Sequence, residues 1–231
     1  MTALIYIGIG IGLIVISLIV LNGINILQAG SRKPDGRTMA GILGVEPASA
    51  VFEDVEKLSR KDKMQLFYAA ETPEMTALNG EYEAKLLSGG VLGPSSALFT
   101  HHVFPTGRIT LGTIWAGKAF MANGGPTGKG YNIFQQKKPD GTFRTLRTRP
   151  MKTSLAVSKV GKDGKLSFQV DYSTDNTGMI HSMRDEIRRV NDTLFIGAGY
   201  MALGGGSMNP APFALIGPPK PWVGPDKHIK R

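Results

Sequence analysis

The chain has 231 residues, enough for one domain of ordinary size or two small ones. It contains no cysteine, which excludes disulfide bonds, thiolate metal sites and a cysteine nucleophile. The formal net charge is +9, and the first 30 residues carry no charged side chain, so the basic excess lies in the rest of the chain. A basic domain suits nucleic acid, anionic lipid or an acidic partner.

The chain begins with an apolar segment. Residues 3–21 read ALIYIGIGIGLIVISLIVL, and at about 1.5 Å per residue this run spans roughly 28 Å as a helix. A cleaved signal peptide is the alternative, but no lysine or arginine precedes the run and no small-residue cleavage site follows it. We predict a retained transmembrane helix over residues 1–27.

The charges around this segment predict its orientation. Arg32, Lys33 and Arg37 follow it, whereas only the amino terminus precedes it. The positive-inside rule then places the rest of the chain on the cytoplasmic side of the inner membrane. Gly8 and Gly12 form a small-xxx-small pair to which another helix can pack closely, although such glycines are also common in membrane helices.

Residues 28–53 mix charge, glycine and proline, and we interpret them as a linker on the membrane surface. A short helix is predicted next. Ser59 and Asp62 make an S-x-x-D start, and Met64, Phe67 and Tyr68 then share one face.

From Leu78 onward the hydrophobic period changes to two. In KLSFQVDYS, at residues 165–173, apolar side chains alternate with polar ones, as in a strand with one buried face. Similar runs occur at 80–87, 108–121, 130–136, 143–149, 152–160 and 193–203, and a second short helix is predicted at 95–103. The fold class is therefore mainly β, an antiparallel barrel or sandwich over residues 54–205.

The segment GGPTGKGYNIF, at residues 124–134, superficially resembles a phosphate-binding loop. That motif needs a glycine where Asn123 stands and a hydroxyl where Gly130 stands, and it needs a helix afterwards. We predict a glycine-rich hairpin instead, without a nucleotide site.

The short helix followed by Leu78-Asn79-Gly80-Glu81-Tyr82 resembles the start of a lipocalin-like (calycin) barrel, with tyrosine in place of the tryptophan of Gly-x-Trp. The resemblance covers roughly residues 60–205. It implies an interior that either holds an apolar ligand or is filled by its own side chains. The expected interior residues are Trp115, Phe120, Tyr131, Phe168 and Tyr172.

Titratable residues are densest at His181-Ser-Met-Arg-Asp-Glu186. In a strand, Asp185 points to the core and Glu186 to the other face, although Met183, Ile187 and Val190 also fit helical spacing. One interpretation is an acid–base site of His181 and Asp185, with Glu186 as a weaker candidate. The alternative is a solvated charged edge, with Asp185 paired to an arginine. The pair His101-His102 lacks neighbouring carboxylates, so we predict no metal site and no cofactor.

Two further regions predict contacts. The basic stretch from Lys137 and Lys138 to Lys152 suits either anionic lipid or solvent, and its lack of interleaved aromatics argues against nucleic acid. Residues 206–231 form a proline-rich basic tail, which we expect to be extended, with Trp222 as an anchor on a partner.

Three functions fit these features. The leading one is a non-catalytic accessory subunit of a larger integral-membrane complex, such as a bacterial photosynthetic or respiratory assembly, with other membrane subunits as partners. The second is a membrane-tethered protein that binds a lipid or another apolar ligand. The third is an acid–base enzyme that uses His181 and Asp185.

Overall fold

A computed structural model describes residues 2–87 and 89–226, apart from nine side chains near the start of the first helix. Eight antiparallel strands form a closed barrel in which each strand pairs with the next, and the last pairs with the first. The mainly β prediction is confirmed, and the barrel is consistent with the lipocalin-like expectation. The strands are β1 (Gly80–Leu86), β2 (Thr113–Ala122), β3 (Thr127–Lys137), β4 (Phe143–Val157), β5 (Leu166–Asp171), β6 (Arg184–Arg189), β7 (Leu194–Tyr200) and β8 (Ala211–Lys220).

The glycine-rich segment forms the predicted hairpin. Strand β2 ends at Ala122 and β3 begins at Thr127, so the turn lies between them. A Cβ added to Gly130 would lie 2.4 Å from the carbonyl oxygen of Ala119 on the neighbouring strand. Glycine is therefore needed there for close approach of the backbones, and not for binding phosphate.

Strand β4 differs from the sequence prediction, which divides it into runs at 143–149 and 152–160. It is one strand of 15 residues with an irregularity in its pairing to β3 between Gly130 and Asn132. Arg149 lies close to this irregularity and has a φ of 57°, an unusual value outside glycine. A bulge of this kind turns a long strand around the barrel without ending it.

One end of the barrel is filled by large side chains. Tyr82, Phe120, Phe168 and Phe195 are all at most 3% exposed. Phe120 and Phe168 meet edge to face with centroids 5.4 Å apart, a favourable aromatic geometry. Met75 and Leu78, from the segment before β1, pack against the same cluster, so this end is closed.

Helices α1 (Thr2–Ala29), α2 (Met39–Leu43), α3 (Phe52–Glu56) and α4 (Arg60–Ala69) contribute to a core on the outer face of the barrel. Helix α5 (Gly93–Leu98), continued by a π-helical turn at Phe99–Val103, lies instead at one end of the barrel interior. Helix α4 begins as predicted, because the side chain of Ser59 accepts a hydrogen bond from the Asp62 N–H. Its buried side chains Met64 and Phe67 share a core with outward residues of β7 and β8.

Polar contacts join the C-terminal part of helix α1 to the barrel. Asn25 Nδ2 donates to Asn209 Oδ1 at 2.6 Å, and Asn209 Nδ2 donates to Asn22 Oδ1 at 2.8 Å. Farther towards the N-terminus, Tyr6, Ile9, Leu13 and Ile16 are each more than half exposed. Among the residues that the structure describes, no helix has both the length and the apolar character required to cross a bilayer.

The end of the chain differs from the predicted tail over residues 206–231. Residues 211–220 form β8, which pairs with β7 and β1 and closes the barrel. Proline cannot donate a ladder hydrogen bond, but Pro212, Pro218 and Pro219 lie near the two ends of this strand. The apolar stretch between them, with Phe213 and Leu215 facing inward, therefore pairs normally.

Candidate ligand-binding site

The end of the barrel opposite the filled one contains a cavity of about 750 Å³. Its wall combines barrel residues with the C-terminal part of α1, the helix α5 and the turns before β6 and β8. Most of the surface is apolar. Its large apolar side chains are Leu18, Leu21, Leu86, Leu87, Leu92, Phe99, Phe104, Trp115, Met179, Met183, Met201, Leu203 and Phe213.

A buried polar network lies where the cavity meets the filled interior. Lys118 on β2 is 2% exposed, and its Nζ donates to Asp185 Oδ2 at 2.8 Å, Tyr172 OH at 2.5 Å and Asn132 Oδ1 at 2.9 Å. Tyr172 in turn donates to Asp185 Oδ2 at 2.8 Å. The three donors of the ammonium group are all used, so the network is complete in itself.

The charges of this network are balanced. Burial lowers the pKa of Lys118, an effect that the negative charge of Asp185 opposes. Burial, followed by the charge of Asp185, raises the pKa of Tyr172 well above its ordinary value, so Tyr172 stays a hydrogen-bond donor. Rings of Trp115 and Phe213 lie 5.3 and 5.4 Å from Nζ and add cation–π contacts. One neutral ion pair therefore adjoins a mainly apolar cavity.

His101 also lines the cavity. Its Nδ1 accepts a hydrogen bond from the Trp115 backbone N–H at 3.0 Å. Burial, and then the charge of His102, lower the pKa of His101. A neutral imidazole fits this acceptor role. Within residues 2–87 and 89–226, no group of three or more histidine, aspartate or glutamate side chains is placed to hold a metal ion.

Four of the five residues expected in the interior belong to the interior cluster, namely Trp115, Phe120, Phe168 and Tyr172. Tyr131 does not. It faces outward with Ala119 and Ile133, because on β3 the alternate residues Asn132 and Phe134 point inward. The correction follows from strand parity, since a one-residue shift moves a side chain to the other face.

The predicted acid–base group is only partly assembled. Asp185 points inward, as its strand parity predicts, but its partner is Lys118 and not an arginine. His181 is exposed in a 3₁₀ turn at Gly178–Ser182, and in the described part of the chain no hydrogen bond or ion pair joins it to Asp185. Glu186 lies on the opposite face of β6 from Asp185. The three residues therefore do not share one site.

The outward face of β6 is not a solvated charged edge. Glu186 and Arg188 are both 0% exposed. Glu186 accepts hydrogen bonds from Ser158 Oγ, Ser167 Oγ and the N–H of Lys159, whereas Arg188 pairs with Asp163 at 2.6 Å and donates to α4 carbonyls. The β4–β5 connection and α4 cover these charges, which the pattern of a single strand does not reveal.

Of the basic residues expected at a membrane surface, two have partners within the protein and three are exposed. Arg32 donates to the carbonyls of Lys159 and Val160, and Arg37 forms ion pairs of 2.8 Å with Asp35 and Asp62. Lys33 is exposed near the end of α1. Lys137 and Lys138 are exposed at the β3–β4 hairpin.

Two predicted contacts remain, the helix-packing glycines of α1 and the anchor residue Trp222. A Cβ added to Gly12 would meet no atom of the described residues within 4 Å, whereas the surroundings of Gly8 lie outside those residues. Trp222, expected to anchor a partner, packs on Tyr131 of its own barrel with ring centroids 4.6 Å apart. The N–H groups of Val223 and Gly224 donate to the Tyr131 hydroxyl.

Sequence reasoning missed three polar residues around the cavity: Lys118, Arg60 and Asn25. Lys118 occupies an inward position of a mainly apolar strand, TIWAGKAFMA, but a register shift between Trp115 and Gly117 breaks the strand parity that would otherwise reveal it. Asn25 interrupts the apolar α1 segment three residues after Asn22. The position of Arg60 depends on how α4 packs against α1, which periodicity does not predict.

No protein-family model matches this chain, and no curated protein matches it. Among solved structures, a chain described as "Crystal structure of protein from Thermomonospora curvata" is similar, with 17% sequence identity and a TM-score of 0.42. The alignment covers 66% of this chain and 82% of that chain. The barrel assignment above comes from the strand pairing itself.

Proposed function

We propose that this chain is a membrane-attached protein that binds a lipid or another apolar ligand at the open end of its barrel. The observation that carries the proposal is the cavity of about 750 Å³ with its mainly apolar wall. Ligand sites usually have volumes of roughly 300–1,000 Å³ and a few polar groups among apolar ones. The cavity has this character, whereas the other end of the barrel is filled.

The exposed part of α1 supports membrane attachment. Its apolar side chains Tyr6, Ile9, Leu13 and Ile16 are 54–69% exposed, and exposed apolar surface of this kind marks contact with lipid or protein. The same helix contributes Leu18 and Leu21 to the cavity wall. A ligand that leaves the lipid phase along α1 then has a short path to the barrel.

A binding assay with a blocked cavity tests this proposal. The full-length protein in a mild detergent is titrated with a fluorescent fatty acid. Ala97 lines the cavity, so Ala97→Trp should fill part of it and weaken binding by at least about tenfold. Leu98→Trp is the matched control on the same helix, because Leu98 is 62% exposed and does not line the cavity.

In this assay the control variant should bind as the wild type does. If Ala97→Trp also binds with the wild-type affinity, the probe binds outside the cavity. No binding by the wild type would reject the proposed function.

A second function, an accessory subunit of an integral-membrane complex, is favoured by a different observation. Gly12 and the exposed apolar residues of α1 suit another apolar helix as well as lipid. Mild solubilisation followed by native gel electrophoresis separates the two functions. An accessory subunit should migrate with larger partners, and Gly12→Leu should release it. Migration at the size of the single chain would contradict this second function and leave the first intact.

A further inference from the structure

Arg60 is a buried cation at the junction of α1, α4 and the barrel, and it also lines the cavity. The residue is 6% exposed. Its Nε donates to the Asn25 carbonyl at 3.1 Å, and its Nη2 donates to the Pro210 carbonyl at 2.9 Å and to Asn209 Oδ1 at 3.2 Å. All three acceptors are uncharged groups.

The charge of Arg60 lacks the carboxylate partner that two other buried cations, Lys118 and Arg188, have. Lys118 has Asp185 at 2.8 Å and Arg188 has Asp163 at 2.6 Å. Across the described ranges 2–87 and 89–226, no carboxylate forms an ion pair with Arg60. Burial lowers the pKa of Arg60, but guanidinium loses its proton only far above physiological pH. A buried charge in this state is costly unless an anion joins it.

The guanidinium group also retains hydrogen-bonding capacity. Nη1 donates to no acceptor in the part of the chain that the structure describes, so a ligand that enters the cavity finds donors there. The surrounding backbone is shaped to pack against this group. A Cβ on Gly90 would lie 2.1 Å from Asn25 Oδ1 and 2.8 Å from Arg60 Cδ, so only glycine fits at this position.

We propose that Arg60 binds the anionic head group of a single-chain amphiphile whose apolar chain occupies the cavity. This inference rests on the proposed function and specifies the ligand. Lys118 and Asp185 neutralise each other in the same wall, so Arg60 leaves the lining with one excess positive charge. The neighbouring amides of Asn22, Asn25 and Asn209 add polar groups at this place, whereas most of the remaining wall is apolar. Carboxylate and phosphate both present the oxygens that guanidinium prefers.

The test compares probes that differ in one group. Oleate, oleoyl lysophosphatidate and oleyl alcohol compete with the fluorescent fatty acid on the full-length protein, at a pH at which the carboxylate is ionised. Inorganic phosphate and acetate serve as head groups without a chain. The two anionic amphiphiles should bind at least about tenfold more tightly than the alcohol, as expected for charge-assisted hydrogen bonds. The two small anions should compete far more weakly.

Variants then assign the effect to Arg60. Arg60→Met should reduce oleate binding about tenfold or more and change oleyl alcohol binding less than about twofold, whereas Arg60→Lys should recover part of the loss. Lys61→Met on the exposed side of α4 is the control, and near-ultraviolet circular dichroism checks folding.

The outcomes distinguish the two proposals. Equal affinity of the wild type for oleate and oleyl alcohol would overturn the role of Arg60 but support ligand binding in the cavity. This comparison uses the wild-type protein alone, so it does not depend on whether a variant folds. If inorganic phosphate competes as well as lysophosphatidate does, the ligand does not need an apolar chain, and the proposal of an amphiphile would be wrong. Absence of binding by all three amphiphiles would reject the proposed function itself.

Discussion

The two ends of the barrel interior have the same strand scaffold but opposite contents. Around Phe120 and Phe168 the interior is filled with aromatic rings and closed by Leu78. Around Trp115 and Phe213 the same strands enclose a cavity of about 750 Å³ that reaches α1. Lys118 and Asp185 lie between the two regions.

This difference shows how one barrel can separate stability from binding. Close packing at the filled end gives dispersion contacts and excludes water, which holds the strands together. The open end lacks that packing, so its residues are free to contact a ligand. Substitutions at the filled end should therefore lower stability without a specific effect on binding, and substitutions at the open end should do the reverse.

The largest expected effect is at the boundary between the two ends. Lys118→Met leaves Asp185 buried without its cation, which should lower the free energy of unfolding by about 3–5 kcal/mol. Chemical denaturation measures the loss. The double variant Lys118→Met/Asp185→Leu removes both charges and should recover at least half of it. If the free energy of unfolding of Lys118→Met lies within about 1 kcal/mol of the wild-type value, the ion pair does not stabilise the boundary between the two ends.

The next largest effect is the difference in stability loss between a truncation at the filled end and one at the open end. Phe120→Ala should cost about 3–4 kcal/mol, because it creates a cavity among rings that are otherwise closely packed. Leu86→Ala at the open end is half-buried and should cost less than about 2 kcal/mol, since part of its surroundings is already empty. Denaturation and fatty-acid binding are measured on both variants. Equal losses of stability would contradict the division into a filled and an open end.

The smallest effect is a pH dependence confined to the open end. Burial and the charge of His102 lower the pKa of His101 below its unfolded value of about 6.5. The unfolded chain then binds more protons between the two pKa values. The stability contribution is complete above about pH 6.5 and is lost as the pH falls through the folded-state pKa.

In His101→Asn the side-chain oxygen can still accept from the Trp115 N–H, but it does not titrate. This part of the slope should therefore disappear from the stability–pH curve. An unchanged slope, or an imidazole NMR titration at the ordinary pKa, would contradict the assignment.

Much of the fold follows from local sequence pattern. Period-two alternation, as in residues 165–173, predicts the strands, and Ser59 with Asp62 predicts the start of α4. The inward direction of Asp185 follows from the same parity. These features depend on neighbours in the chain, which is why the sequence alone predicts them.

The features that sequence did not predict depend on distant contacts. Pairing of β8 with β1 joins residues far apart in the chain, so the last strand resembled a tail. The partner of Asp185 is 67 residues away, and Glu186 is buried only because other segments cover β6. The cavity itself is the space that these elements leave between them. No local pattern contains this information.

Native mass spectrometry of the full-length protein, extracted in a mild detergent, tests the central claim most directly. We predict a bound small molecule in addition to the mass of the chain, with a single apolar chain and an anionic head. The Ala97→Trp variant should lose it and Leu98→Trp should keep it. A wild-type chain that carries no ligand, and that takes up neither oleate nor oleyl alcohol when these are added, would contradict the account.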